Sequence, residues 1–234
     1  MEPILLESGK IPHAKKLWVK SLLICGIASS LWYAVINIIV PAQFAGYSVT
    51  TQTISELSAI DAPTRMIWIE LCIFYTLLLI AFGLGVGSVA GYNKKLRVTA
   101  AIIVIDAVFT AFWPPMHQRE VIAAGGGTIT DTLHYAWALI HLAFVLLMVG
   151  FGSVVMGKKF RIYSIATVVI FIIFGILTAQ ESSGIATGNP TPHIGIWERV
   201  NIGAYMLWIA VFAIAHLQAE NIRNSKLIIS PGIK

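Results

Sequence analysis

The chain has 234 residues, of which 57% are hydrophobic and 12% are charged. With a mean hydropathy of +0.81, it is far more apolar than a soluble domain of this length needs to be, so the composition excludes an ordinary soluble protein and indicates an integral membrane protein. The net charge of +5 comes from basic residues dispersed in short clusters, which argues against a nucleic-acid partner and favours loops beside an anionic leaflet.

Six apolar segments can each cross about 30 Å of hydrocarbon, which takes roughly 20 residues. In chain order, the predicted spans cover residues 17–40, 66–91, 98–113, 129–156, 162–180 and 197–219. The third span is short and ends before Pro114 and Pro115, because two prolines stop a helix. The sequence therefore predicts an all-α, six-transmembrane-helix bundle that forms one domain over residues 17–222, with a leader over 1–16 and a tail over 223–234.

The basic residues orient these spans in the lipid bilayer. They cluster before span one, between spans two and three, between spans four and five, and after span six. Of the 16 lysines and arginines, only Arg65, Arg119 and Arg199 fall on the other side. By the positive-inside rule, we expect a plasma- or inner-membrane type of protein with both termini in the cytoplasm. The sequence specifies no oligomeric state.

A glycine motif in span two fits a cofactor fingerprint by chance. Residues 85–90 read Gly-Val-Gly-Ser-Val-Ala, which matches the dinucleotide pattern, but that pattern requires a strand before it and a helix after it. Here the motif lies inside an apolar helix, where Gly83, Gly87 and Gly91 recur every four residues. We expect these glycines to line one face that allows close approach of another helix.

Span four carries polar groups along one helical face. At 100° per residue, Asp131, His134 and His141 share a stripe, and such a stripe should face the bundle interior or a wet cavity instead of lipid. At 1.5 Å per residue, His141 lies about 15 Å below Asp131. Asp106 in span three is predicted at a depth where it can meet His141.

Span six carries a second polar face, formed by Glu198, Asn201 and Tyr205 at spacings of three and four. Span one adds Asn37 and span two adds Glu70. Five of the six predicted helices thus place polar groups in the outer half of the bundle. The pattern predicts one shared polar cavity that opens on the non-cytoplasmic side.

A divalent metal, zinc above all, is one hypothesis for this cavity. Histidine and carboxylate ligands with one open position create an activated water. Asp131 and His134, at i and i+3, can bind one ion, and His117 and His193 could close over it from adjacent loops. No compact His-x-x-x-His pair accompanies them, so spacing alone does not decide for a metal.

The loop after span one contains the most distinctive string. Thr53 and Glu56 have capping-box spacing, which predicts a short helix lying at the membrane interface. Such a helix would leave Ser55 and Glu56 within reach of the cavity mouth.

Residues 55–59, Ser-Glu-Leu-Ser-Ala, are followed by Pro63 and lie between the first two spans. This segment resembles the Ser-Glu-Leu-Gly-Ala motif of a multi-span membrane family, the domain of unknown function 998, with Ser58 in place of the glycine. His117 and the Trp-Glu-Arg string at 197–199 are similar to that family as well, and the resemblance covers residues 17–219. It implies a helical membrane protein and no particular reaction.

The leading functional hypothesis is a membrane-embedded enzyme, in one version metal-assisted, that acts on a lipid or amphiphile reaching the cavity from the outer leaflet. Three groups of residues carry the expected roles. Glu56 or Glu198 would act as general acid or base, with Asp106 and His141 as a deeper supporting pair; Ser55, Asn201 and Tyr205 would bind substrate; Asp131, His134, His117 and His193 would hold the ion or polarise the substrate.

Two alternatives use the same residues. A small-solute or proton-coupled transporter, or a sensor, could bind its ligand in the cavity, with the acids and histidines of spans three and four as a relay. Alternatively, the polar groups could form satisfied pairs that only fix the register of the helices.

Overall fold

A computed structural model of the chain describes residues 13–229. This part of the chain is all α, as predicted, and contains no strand. It consists of α1 (His13–Ile39), a 3-10 helix (Pro41–Gln43), a second 3-10 helix (Ser55–Ser58), α2 (Arg65–Val89), α3 (Lys94–Thr110), α4 (Arg119–Ala123), α5 (Ile129–Ser153), α6 (Lys158–Thr187) and α7 (Ile194–Ile229).

Five of these helices, α1, α2, α5, α6 and α7, are long and apolar enough to cross a membrane. Helix α3 corresponds to the predicted third span but has only 17 residues and ends at Thr110, before the prolines at 114 and 115. It packs between α2 and α5. The described chain is therefore a helical protein of membrane type, and the sixth span stays a prediction.

Several helices extend beyond their predicted ends. Helix α1 begins inside the predicted leader, and α7 continues to Ile229 inside the predicted tail; residues 1–12 and 230–234 lie outside the described residues. Helix α6 runs to Thr187, seven residues past the predicted end at 180. It stops where Gly188 adopts a left-handed conformation with φ of +69°, a backbone state that glycine adopts without strain.

The main helix contacts join α3 to α2, α2 to α1, α1 to α7 and α7 to α6, while α5 packs chiefly on α3. Large side chains fill the middle of this arrangement, and Phe82, Trp208 and Phe212 are fully buried. Many aliphatic side chains on the helix exteriors are exposed, as expected for surfaces that face acyl chains.

The glycine face of α2 is present in part. A Cβ atom at Gly83 would lie 2.6 Å from a methyl group of Val104, and one at Gly87 would lie 3.7 Å from the Cβ of Ala100. Both glycines therefore allow α3 to approach, as predicted. The prediction is wrong for Gly91, which lies in the turn after α2 with φ of +50° and no neighbouring atom within 4 Å.

The two ends of the bundle differ in their connections. At one end, residues 90–93 and 154–157 form short turns. At the other end lie two long connections, residues 40–64 and 111–128, and a shorter one, residues 188–193, and we call this the loop end. It is the side on which the polar residues were expected, so the candidate site is built there.

Candidate active site

The segment around Glu56 folds into the expected short helix, although of the 3-10 type. The Glu56 carboxylate accepts hydrogen bonds from the backbone N–H of Thr53 at 2.7 Å and from its hydroxyl at 2.9 Å. In return, the N–H of Glu56 donates to the Thr53 hydroxyl at 3.3 Å. This reciprocal arrangement is a capping box. It fixes the start of the 3-10 helix, whose first residue is Ser55.

A guanidinium group completes the surroundings of Glu56. Arg119 donates from Nε at 2.5 Å and from Nη2 at 2.8 Å to the two carboxylate oxygens, and it also bonds Thr191 and the Thr51 carbonyl. Hydrogen bonding to Glu56 raises the pKa of Arg119. Glu56 is 2% exposed, and both of its carboxylate oxygens accept hydrogen bonds from Thr53 or Arg119. These contacts stabilise the loop, and they weigh against Glu56 as a general acid or base.

Ser55, one residue before Glu56, meets a histidine of α5. Its Oγ lies 3.0 Å from Nε2 of His134, and Nδ1 of His134 lies 2.7 Å from the carbonyl oxygen of Pro114. A carbonyl can only accept, so Nδ1 carries a proton and Nε2 of the neutral ring accepts the Ser55 hydroxyl proton. We call Ser55 and His134 the rim pair; His134 is 7% exposed and Ser55 is half-buried.

The second turn of α7 holds the loop that carries Ser55. Glu198 accepts a hydrogen bond from the backbone N–H of Ile54, the residue before Ser55. Arg199 donates to the Val49 carbonyl at 2.9 Å and to the Tyr47 hydroxyl at 2.7 Å. Burial raises the pKa of Tyr47 above its ordinary value, so its hydroxyl stays protonated and can donate to the loop.

Asp131 has a structural role at the start of α5. Its carboxylate accepts from the backbone N–H of His117 at 2.7 Å, from Nδ1 of His117 at 3.0 Å, and from the N–H of Thr128 at 2.7 Å. Thr128 and Asp131 together form a capping box. The spacing Thr-x-x-Asp at residues 128–131 could have predicted this role from the sequence. The bonds tie the loop after α3 to the helix that carries His134.

The four predicted metal ligands do not come together. Asp131 pairs with His117, while His134 bonds Ser55 and the Pro114 carbonyl. His193 is 55% exposed and lies 3.5 Å from the Glu181 carboxylate of α6. Within residues 13–229, no group of three histidine, cysteine or acidic side chains is arranged to hold a metal ion. The metal hypothesis is therefore not supported.

A second polar cluster lies deeper in the bundle. Nδ1 of His141 is 2.8 Å from Oδ1 of Asp106, and the Tyr205 hydroxyl donates to Oδ2 at 3.4 Å. We call these three residues the deep cluster; it contains the pairing of Asp106 with His141 that their depths predicted. Asn201, expected to bind substrate, donates instead to the Phe171 carbonyl of α6.

An indole separates the two histidines of α5. The Trp137 ring lies 5.5 Å from the His134 ring and 5.9 Å from the His141 ring, centroid to centroid, and is nearly parallel to the latter. Through the described residues, no hydrogen bond joins His134 to His141 or to Asp131. The expected relay of titratable groups is thus interrupted at Trp137.

The polar groups do not line one common recess. One depression at the loop end, about 170 Å³ in volume, is lined by residues that include Phe44, Gln52 and Glu56. Another, about 250 Å³, lies between α2 and the residues that follow α3, Ala111 and Trp113. Neither is lined by His134, Asp106 or Glu198. The shared cavity predicted from the sequence is therefore not supported.

Several partners at the loop end were not foreseen. The sequence indicates Arg119 only as a charge that orients the chain, yet this residue pairs with Glu56, which lies 63 positions earlier. The Pro114 carbonyl is a backbone group, so no residue type signals its role. In both cases the partner is set by how the loops fold over the bundle.

A bundle of apolar helices of spanning length, with a half-buried serine and a buried histidine at its loop end, is a helical protein of membrane type. Residues 27–215 match the family model described as Protein of unknown function (DUF998), and the chain belongs to this family. Comparisons with curated proteins and with solved structures find no match.

Proposed function

We propose that the protein is a membrane-embedded esterase that acts on a lipid or another amphiphile, with Ser55 as nucleophile and His134 as general base. The observation that carries this proposal is the rim pair itself. Ser55 Oγ lies 3.0 Å from Nε2 of His134, while the Pro114 carbonyl orients the ring from Nδ1 at 2.7 Å. A nucleophile, a base and a group that orients the base are the minimal parts of nucleophilic acyl transfer.

The reaction follows from the proton positions. Ser55 Oγ attacks the ester carbonyl carbon as its proton passes to Nε2 of His134, and the Pro114 carbonyl stabilises the imidazolium through Nδ1. Collapse of the tetrahedral intermediate breaks the bond to the alcohol, which takes the proton from Nε2. Water then attacks the acyl-serine with the same imidazole as base, releases a carboxylic acid and restores Ser55.

The surroundings of the pair favour an amphiphilic substrate. His134 lies one turn into α5, a helix of spanning length, so the pair lies near the predicted membrane interface. Leu133 and Tyr135 on either side of it are 48% and 43% exposed. A substrate with an apolar tail in the bilayer and an ester at the interface fits this position. With the orientation given by the positive-inside rule, it would come from the outer leaflet.

Labelling and turnover test the proposal. Purified protein should react with a long-chain fluorophosphonate and hydrolyse a fluorogenic long-chain ester in detergent. Ser55→Ala should abolish labelling and lower turnover by at least about 10³-fold, because the nucleophile is lost. His134→Ala should lower turnover by about 10²–10⁴-fold, and added imidazole should restore part of it.

Ser58→Ala is the matched control, since Ser58 belongs to the same 3-10 helix and its hydroxyl bonds only the Ser55 carbonyl. This variant should keep both labelling and turnover. Labelling that persists in Ser55→Ala, or the lack of any reaction with either probe in a folded wild-type protein, would refute the esterase assignment.

A further inference from the structure

The depression between α2 and the segment that follows α3 is a mostly apolar groove. On α2 it is lined by Arg65, Ile69, Ile73 and Leu77, which follow one another every four residues and therefore share one face. Over the 12 residue steps from Arg65 to Leu77, the face extends about 18 Å along the helix, at 1.5 Å per step. The groove thus begins at the loop end, and its length is close to the thickness of one leaflet, which is half of a hydrocarbon core of about 30 Å.

The other wall explains why the groove is open. Helix α3 ends at Thr110, and the small side chain of Ala111 lines the groove together with Trp113. Ile73 and Leu77 are each 57% exposed, so the groove opens sideways from the bundle. Tryptophan is enriched at membrane interfaces, and Trp113 lies at the level where α2 begins.

The groove carries a cation that is only partly engaged. A guanidinium has five N–H donors, and Arg65 uses one nitrogen, Nη1, to bond the Ser58 carbonyl at 2.5 Å. None of the ion pairs formed by the described side chains includes Arg65. By contrast, Arg119 is held by Glu56, and Arg199 is held by main-chain carbonyls and Tyr47.

We propose that this groove binds one phospholipid with an anionic headgroup, whose acyl chain lies along α2 and whose phosphate accepts hydrogen bonds from Arg65. Guanidinium and phosphate match in geometry as well as in charge. Because Arg65 also holds the 3-10 helix of Ser55 through the Ser58 carbonyl, a bound phosphate would brace this helix from the lipid side. The proposal does not require that the protein be an enzyme.

Photo-crosslinking in nanodiscs locates such a lipid. The probes are dialkyl ether analogues of phosphatidylglycerol and of phosphatidylcholine, each with a diazirine in one alkyl chain, so that no carboxylic ester is present for hydrolysis. We expect the glycerol probe to label residues 69–77 and 111–113 in preference to the choline probe. Arg65→Gln should lower this labelling about fivefold, the factor expected for one basic residue near an anionic headgroup, whereas Arg65→Lys should keep most of it.

Two further variants make the result decisive. Ala111→Phe fills the groove without touching Arg65, and it should reduce labelling of residues 69–77 by both probes. Arg161→Gln removes an exposed arginine of α6 near the opposite end and should leave labelling of the groove unchanged. Equal labelling by the two lipids, or labelling unaffected by Arg65→Gln, would show that the groove is only a lipid-facing surface and would overturn the proposal, whatever the outcome with fluorophosphonate.

Discussion

The rim pair and the deep cluster share helix α5, yet they are built in different ways. In the deep cluster, Asp106, His141 and Tyr205 come from α3, α5 and α7, so helices alone bring them together. At the rim, His134 meets Ser55 and the Pro114 carbonyl, both of which lie in connections between helices. The position of a residue along its helix is therefore sufficient to specify a polar contact inside the bundle. Contacts at the loop end depend instead on how the connections fold.

The largest effect on stability should come from breaking the ion pair between Glu56 and Arg119. Arg119→Met leaves the buried Glu56 carboxylate without its cation, which should lower the free energy of unfolding by about 3–5 kcal/mol. Unfolding of the detergent-solubilised protein measures the loss. The double variant Glu56→Gln/Arg119→Met should recover much of it, because no uncompensated charge remains.

Arg161→Met is the matched control for this change, since Arg161 is exposed and forms no ion pair with a described side chain. Its effect should stay within about 0.5 kcal/mol. If Arg119→Met lowered the free energy of unfolding as little as Arg161→Met, the loop end would not depend on the ion pair between Glu56 and Arg119. The contrast with the deep cluster would then fail.

A smaller effect is expected in the deep cluster. Asp106→Asn keeps the shape of the side chain but removes the charge opposite His141, and it should cost about 1–2 kcal/mol of stability. A double-mutant cycle of Asp106→Asn with Ser55→Ala tests whether the two regions are independent. The two losses should add within about 0.5 kcal/mol; a larger interaction energy would mean that Trp137 couples the regions instead of separating them.

The smallest effect should follow from Tyr205→Phe. The hydroxyl lies 3.4 Å from the Asp106 carboxylate, which is long for a hydrogen bond, and phenylalanine keeps the buried ring. We expect a loss of about 0.6 kcal/mol, as is usual for hydrogen bonds between membrane helices. In a protein that already carries Asp106→Asn, Tyr205→Phe should lower the free energy of unfolding by still less. A loss above about 2 kcal/mol would show that the hydroxyl, and not the His141 pair, holds the deep cluster together.

Contacts along regular helices could be predicted. The periodicity of α5 put Asp131, His134 and His141 on one face, and the rise per residue brought His141 to the depth of Asp106, where the structure has the two in contact. The packing of Gly83 on α3 followed from the four-residue spacing in the same way. Each of these inferences needs only the fixed geometry of an α-helix.

Contacts that involve loops could not be predicted. Glu56 was considered as a catalytic acid or base, but its nearest cation lies 63 positions away on a five-residue helix. His134 was considered as a metal ligand, yet both of its ring nitrogens are engaged by groups from two separate connections. No periodicity governs these segments, so the sequence offered residue types without their partners.

Sequence alone determined that this chain is a helical membrane-type protein, which stretches form its long helices, and which polar residues share a helical face, because hydrophobic length and helical periodicity depend only on the order of residues. Only the tertiary structure decided that Ser55 faces His134, that Arg119 neutralises Glu56, and that the four predicted metal ligands do not converge on one point. These outcomes depend on the path of three connections over the helix ends, where hydrogen bonds between distant residues, and not local propensity, fix the backbone.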